Sequence, residues 1–329
     1  MSESQFPFPI PLSPFRVLIA SRSFGKAAPD VFSQLEQAGV EIVPNPHERA
    51  PTEMEMIDLI HDVDVLISGT EPVTASVLAA ANKLRGISKH GVGYENIDLV
   101  AARARNIPVA VAGGTITNSV ADMAMALLLG LARRVPFGDR AVKGGRWGRV
   151  VGVELAGKTL GIVGMGQIGK AVCRRARAFE MNVIAYDTYQ DEAFAAQHAV
   201  TYVSLAEVLA QSDFITLHAP GGQGTREIIN QDSLAKMKPT AFLINTARGE
   251  LVDEGALYIA LKRNQIAGAA SDVFIDEPPG PNPLFELDNF IAFPHSAGQT
   301  QEGLRAMGQV TCDNALRILR GEEPQFRVA

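Results

Sequence analysis

Val163-Gly164-Met165-Gly166-Gln167-Ile168-Gly169 is the stretch on which the reading of this chain turns. Its spacing is G-x-G-x-x-G, and an acid, Asp187, closes the apolar run that follows. Context gives the spacing structural meaning. Thr159-Leu160-Gly161-Ile162-Val163 is a short run suited to a parallel strand buried on both faces. Lys170 to Phe179 reads as a helix with Ala171, Val172, Ala176 and Phe179 on one side, and Asn182 to Tyr186 reads as the next strand. In a strand–turn–helix of this kind Gly164 permits the tight turn, Gly166 lets a pyrophosphate approach the backbone, and Gly169 lets helix and strand pack closely. Gln167 and Ile168 lead into that helix, whose unpaired N–H groups at the N-terminus suit phosphates. The pattern is that of a dinucleotide-binding unit.

The fingerprint lies mid-chain, so a separate unit is expected before it. Arg16 to Ala20, Glu41 to Val43, Asp64 to Ser68 and Gly86 to Ser88 read as strands, with a helix from Pro29 to Ala38. The first loop of that section, Ser21-Arg22-Ser23-Phe24-Gly25, lacks the dinucleotide spacing. Asn118 to Val135 reads as one long helix stopped by Pro136, too apolar for a surface helix and therefore buried between domains or against a second subunit. Six strands are expected beyond it: Thr159–Val163, Val183–Tyr186, Phe214–Leu217, Phe242–Asn245, Ala267–Ser271 and Phe290–Phe293. Thr300 to Leu319 is again helical and long enough to pack back on the first unit. The fold class is α/β: two doubly wound, Rossmann-like parallel-sheet domains separated by a cleft. The first is a discontinuous, flavodoxin-like substrate domain, 1–116 plus 297–329; the second is a nucleotide-binding domain, 117–296.

Bulk properties narrow the function classes. Among 329 residues, 30 Lys and Arg against 36 Asp and Glu give a net charge of −6, with no basic tract for nucleic acid. Cys173 and Cys312 have no metal-ligand spacing, so no metal is expected, and two thiols without a disulfide framework suit a cytoplasmic protein. The longest apolar stretch, Ala121 to Ala132, contains Asp122 and is too short to span a membrane. Met1 to Phe15 has an acidic start and no basic region, so it reads as an extended arm rather than a secretory signal.

Three polar residues follow strands of the second unit, where ligand chemistry gathers in such sheets. Arg248 follows Asn245-Thr246-Ala247, Glu277 follows Asp272-Val273-Phe274, and His295 follows Phe293-Pro294. An Arg can hold a carboxylate in a bidentate fork, a His can exchange the hydroxyl proton as hydride moves, and a Glu can orient and charge that His. These are the groups that hydride transfer at a 2-hydroxy acid needs.

Taken together, several motifs show that the chain resembles the D-isomer-specific 2-hydroxyacid dehydrogenase family, over most of Arg16 to Gly321. They are Lys89-His90-Gly91-Val92-Gly93-Tyr94-Glu95-Asn96-Ile97-Asp98, the Gly164 fingerprint, Asn245-Thr246-Ala247-Arg248-Gly249, Asp272-Val273-Phe274 leading to Glu277, and Pro294-His295. The resemblance implies Arg248, Glu277 and His295 as the catalytic trio and NAD as cofactor. Asp187 would bind the adenosine ribose and disfavour a 2′-phosphate. Thr246, Ala247 and His218-Ala219-Pro220 would line the cofactor channel, with Arg248, Asp272 and His295 near the nicotinamide. The substrate would meet Lys89, His90, Gly91, Val92 and Gly93 together with Arg248 and His295, its carboxylate on amides near Val92 and Gly93. Arg22 and Lys89 would meet a second anionic group, which points first to 3-phosphoglycerate, with hydroxypyruvate and glyoxylate beside it.

The chain departs from the family pattern at Gly221-Gly222-Gln223-Gly224, where a Leu–Thr pair is usual, and at Asp122 and Ser296. Glu277 argues against formate oxidation, for which an amide replaces that carboxylate. Phosphite oxidation, which keeps a similar trio, stays open, as does an NAD(H)-sensing binding protein similar to corepressors of this architecture. The apolar helix suggests a homodimer, near whose interface Trp147 could lie.

Overall fold

In the first unit, apolar runs become short strands; the inner ones are buried on both faces, as parallel strands covered by helices must be, while the edge run Val40–Pro44 leaves Glu41 and Pro44 exposed. They are β1 (Phe15–Ile19), β2 (Val40–Pro44), β3 (Val65–Ser68), β4 (Gly86–Lys89) and β5 (Val109–Val111). Their order is β2-β1-β3-β4-β5, all parallel. The computed structural model describes residues 14–222 and 224–329, so the arm expected over Met1–Phe15 lies almost wholly outside the described residues. β5 has only three residues and was not expected from the sequence. Its outer edge is covered by the segment ending at Ala329: Val328 N donates to Val109 O at 2.8 Å and Val111 N to Phe326 O at 3.2 Å. The helix Gln301–Leu319 packs on this sheet, where Cys312, Ala315 and Ile318 join Val17, Ile19 and Val65 in one cluster.

The second unit contains β6 (Thr159–Val163), β7 (Asn182–Tyr186), β8 (Val200–Tyr202), β9 (Phe214–Leu217), β10 (Phe242–Asn245), β11 (Gly268–Ser271) and β12 (Phe290–Ala292). The order is β12-β11-β10-β9-β6-β7-β8, again all parallel. That is seven strands rather than the six expected; β8, Val200-Thr201-Tyr202, is too short to carry a periodic signal. Strand order reverses between β6 and β9, and ligands of such sheets bind at the carboxyl ends beside that switch point.

Two expectations are corrected here. Pro136 does not simply stop the long helix: Thr117–Ala132 ends first, and Val135–Lys143 is a second helix with Pro136 in its first turn, where a missing N–H costs nothing. The apolar surface of Thr117–Ala132 is used inside its own unit, against the helix Gln167–Ala178 and strands β10, β11 and β12. Its composition therefore gives no reason to invoke a second subunit. Internal contacts divide the chain into one unit that runs through Ile116 and resumes at Thr300, and another spanning Thr117–Gln299. The return falls at Thr300 rather than 297 because Asp272 ties the backbone of Ser296 and Ala297 to the second unit.

Candidate active site

The fingerprint turn is built by exclusion of side chains. Gly164 has φ +97°, and a Cβ there would sit 2.6 Å from the amide nitrogen of Ala219. At Gly169 a Cβ would lie 2.1 Å from the carbonyl oxygen of Gly164, so helix and turn are in direct contact. Gly166 is different: a Cβ there would meet nothing within 4 Å, which leaves an open cradle in front of the helix Gln167–Ala178. The first N–H groups of that helix have no partner within it and point into the cradle. Asp187, at the end of β7, accepts from Met165 N at 2.6 Å and from Tyr189 N at 2.9 Å. The carboxylate is thus fixed one residue from the turn.

Further along the carboxyl edge, His218 follows β9 and Thr246 follows β10. His218 Nε2 is paired with Thr216 Oγ1 at 2.9 Å, while its Nδ1 and the Thr246 hydroxyl are buried without a hydrogen-bond partner. Burial pushes the His218 imidazole down to about 3, so the ring is neutral. Orphaned polar atoms beside an open phosphate cradle fit a dinucleotide, whose ribose and amide groups would complete them. The residues present therefore suit NAD.

The candidate trio comes from three adjacent strands, β10, β11 and β12. Asn245 shapes the Arg248 loop: its side chain donates to Arg248 O at 2.8 Å and accepts from Ala247 N at 3.0 Å. Arg248 Nη1 donates to Ala247 O at 2.8 Å. Beyond β11, Glu277 Oε1 accepts from Phe274 N at 2.9 Å, and its Oε2 is hydrogen-bonded to His295 Nδ1. Glu254 braces this loop, taking Ile275 N at 2.9 Å and the Asn282 amide at 2.7 Å.

His295 adopts a left-handed backbone, φ 47°, unusual for a residue with a side chain. Asp272 holds it there. The Asp272 carbonyl accepts from His295 N at 2.7 Å, and its carboxylate accepts from Ser296 N and Ala297 N at 2.8 Å each. Asp272 is fully buried and its carboxylate faces these amides. Its part in shaping the histidine loop was not legible from the sequence, nor was the bracing by Glu254; both depend on loops folding back on themselves.

The electrostatics follow from this geometry. The hydrogen bond from Glu277 raises the His295 imidazole above its ordinary value; burial opposes, the charges of Glu277 and Asp272 assist, and Arg248 opposes. Burial pushes the Glu277 carboxyl up, but the His295 hydrogen bond, the Phe274 amide and the nearby cations leave it below the usual range. Burial dominates at Asp272 and raises its carboxyl despite the two amide donors. The result is a hydrogen-bonded Glu277–His295 pair in which protonation of the ring is favoured and Nε2 remains to exchange a proton with a ligand.

In the first unit the expected substrate residues divide. Lys89 is 5% exposed, with Nζ donating to Gly69 O and, at 2.9 Å, to Asn96 Oδ1. It is an internal cation, which corrects the expectation that it meets a second anionic group of the substrate. His90 is 6% exposed and paired through Nδ1 with Thr311 Oγ1 at 3.3 Å, its ring edge-on to Phe24. Burial, with help from Lys89, pushes it down to about 4, so the ring is a neutral imidazole, and its Nε2 is buried without a hydrogen-bond partner among the described residues. Gly91, Val92 and Gly93 are half-buried, and among the described residues the amides of Val92 and Gly93 have no acceptor. Arg22 is exposed, beside Lys26 at an open cavity of about 530 Å³.

The chain belongs to the D-isomer specific 2-hydroxyacid dehydrogenase family, whose NAD binding domain model matches residues 125–297. It is 42% identical over 285 residues to a glyoxylate reductase of Korarchaeum cryptofilum, covering 84% of this chain and 86% of that one. It is 44% identical over 276 residues to a D-3-phosphoglycerate dehydrogenase of Methanocaldococcus jannaschii, covering 82% of this chain but 52% of that one. A solved D-lactate dehydrogenase from Aquifex aeolicus, complexed with NAD and lactic acid, superposes with a TM-score of 0.83 at 27% identity, covering 93% of this chain and 96% of that one. The protein is an NAD-dependent oxidoreductase acting on the hydroxyl group of 2-hydroxy acids. Among the described residues no helix is long and apolar enough to cross a membrane.

Proposed function

We propose that this protein reduces a small, unphosphorylated 2-oxo acid, glyoxylate or hydroxypyruvate, with NADH, and that Arg248, Glu277 and His295 are its catalytic residues. The observation that carries the reading is the Glu277–His295 hydrogen bond, which raises the imidazole and leaves Nε2 as proton donor. Bound NADH would supply the hydride to C2, held by the Gly164–Gly169 turn, Asp187 and the Thr246 hydroxyl. Arg248 grips the substrate carboxylate as a planar fork. His295 Nε2 delivers its proton to the carbonyl oxygen as negative charge develops there, and Glu277 stabilises the imidazolium before the transfer. In oxidation the same nitrogen, neutral, takes the hydroxyl proton. Asp272 and its neighbouring loop amides keep the ring in register.

The choice of a small substrate is supported by Lys89, whose ammonium is satisfied internally and offers no contact to a distal phosphate. A homodimer is supported by an exposed apolar strip after Ala132, with Val142 52%, Trp147 92% and Val151 83% exposed. A reducing, cytoplasmic setting is supported by two free, buried thiols, which burial pushes up to about 11 at Cys173 and about 12 at Cys312.

The test is a panel of 2-oxo acids (glyoxylate, hydroxypyruvate, pyruvate and 3-phosphohydroxypyruvate), read as NADH oxidation. Glyoxylate or hydroxypyruvate should give the highest kcat/KM. A preference for the phosphorylated acid overturns the substrate assignment, and cofactor binding without turnover of any acid points to a sensor.

A further inference from the structure

Two buried charges in the first unit have no role in the chemistry above. Glu71 is 1% exposed and Lys89 is 5% exposed, and a buried charge is costly unless its partners compensate. The hydrogen bonds described at them tie two loops together. Lys89 Nζ donates to Asn96 Oδ1 and to Gly69 O. The Asn96 amide donates to Glu71 O at 2.6 Å and to Gly69 O at 3.2 Å. Glu71 Oε1 accepts from Gly69 N at 2.7 Å, which tightens the 69–71 turn that presents those carbonyls. Backbone bonds join the same loops at both ends: His90 N donates to Ser68 O and Val73 N to Asn96 O, each at 2.8 Å.

The Lys89–Asn96 hydrogen bond therefore closes residues 89–96 into a ring. Val92 and Gly93, whose amides lack an acceptor among the described residues, sit midway round it. Without the ring those amides would belong to an open loop, free to turn away. With it they are presented as a fixed pair of donors.

We propose that Glu71, Lys89 and Asn96 are positioning residues that preorganise the Val92 and Gly93 amides to receive the substrate carboxylate. This rests on the 2-oxo acid reading above. The cost of ordering the loop is met during folding, so it does not weaken substrate binding. None of the three side chains needs to touch the substrate. Removing one should weaken substrate capture while leaving the proton and hydride transfers nearly as fast.

The experiment compares Lys89→Met, Asn96→Ala, Glu71→Ala and Glu71→Gln with the wild type. Its readouts are KM for glyoxylate, kcat, the NADH Kd and hydrogen exchange of the peptide covering 90–96. Lys89→Met, Asn96→Ala and Glu71→Ala should raise KM by about tenfold or more, with kcat within about threefold and the NADH Kd unchanged. Glu71→Gln, which keeps an acceptor for Gly69 N, should recover most of the loss. Exchange across 90–96 should accelerate in the first three variants. Asn96→Ala removes a half-buried side chain and keeps the buried charges, so it reports even where Lys89→Met folds poorly. Unchanged KM with unchanged exchange in Asn96→Ala overturns the proposal, as does a loss confined to kcat. Were the wild type to reduce no 2-oxo acid, the functional reading would fail alone, because exchange at 90–96 still decides whether the ring orders these amides.

Discussion

Asp272→Asn separates the shape of the histidine loop from its chemistry. The side chain keeps its volume, and the bond from His295 N to the main-chain carbonyl survives. One of the two carboxylate bonds, to Ser296 N or Ala297 N, does not, because an NH2 group now faces an N–H. A hydrogen bond to a charged acceptor contributes about 1.5–3 kcal/mol. Removing a buried charge returns part of that, since burial already raises the Asp272 carboxyl. The net loss is about 2 kcal/mol, comparable with the roughly 1–2 kcal/mol that left-handed backbone costs a residue with a Cβ. His295 is such a residue, so the loop loses its margin and the ring spends most of its time out of register. Steady-state reduction of glyoxylate by NADH should show kcat/KM lower by about 30-fold, the equivalent of that energy. The Tm, set by two large cores, should hardly move. A kcat/KM within about threefold of wild type would refute the assignment of Asp272 as the holder of the loop.

Other perturbations test the remaining parts. Glu277→Gln removes the main cause of the raised His295 imidazole. Because reduction uses the protonated ring, activity is present at low pH and lost as pH rises through the raised value. The loss should begin at lower pH in the variant, and superimposable pH profiles of kcat/KM would contradict the pairing. If, as the resemblance implies, Asp187 meets the adenosine ribose, a 2′-phosphate would face its carboxylate, and NADH should exceed NADPH in kcat/KM by about tenfold or more. Asp187→Ala should narrow that ratio, chiefly by improving NADPH. Gly169→Ala places a methyl 2.1 Å from the Gly164 carbonyl oxygen, so the NADH Kd should weaken by about tenfold or more and the Tm should fall.

What was legible in the sequence is what local pattern can express. The fingerprint glycines, the buried parallel runs and the polar residues just beyond β10, β11 and β12 all follow from spacing along one segment. β5 and β8 escaped notice because three residues carry no period. Lys89 misled for a related reason. All four residues of β4 are buried, so alternation gives no cue to which way the following side chains turn, and a lysine at a strand end reads as a surface cation. Asp272 stood out by position, but its role depends on a chain reversal at 295–297 that no short window contains. The long helix was rightly read as too apolar for the surface; its partners were strands far along the chain rather than a second copy.

The return of residues 300–329 to the first unit bears on how the molecule is made. Val17, Ile19, Val31 and Leu35 share their cluster with Cys312, Ala315 and Ile318. On a ribosome adding about 5–20 residues per second, that helix emerges roughly 10–40 s after residue 116. Until then one face of the β1–β5 sheet is covered only by the helix Asp30–Gln37 and lies open over β3 and β4, while Thr117–Gln299 already contains all seven strands of its own sheet. The nucleotide-binding unit is therefore the part able to fold first, and the earlier-synthesised unit is completed last. Expressed alone, residues 14–116 would present the uncovered part of that face, over β3 and β4, to chaperones and to each other.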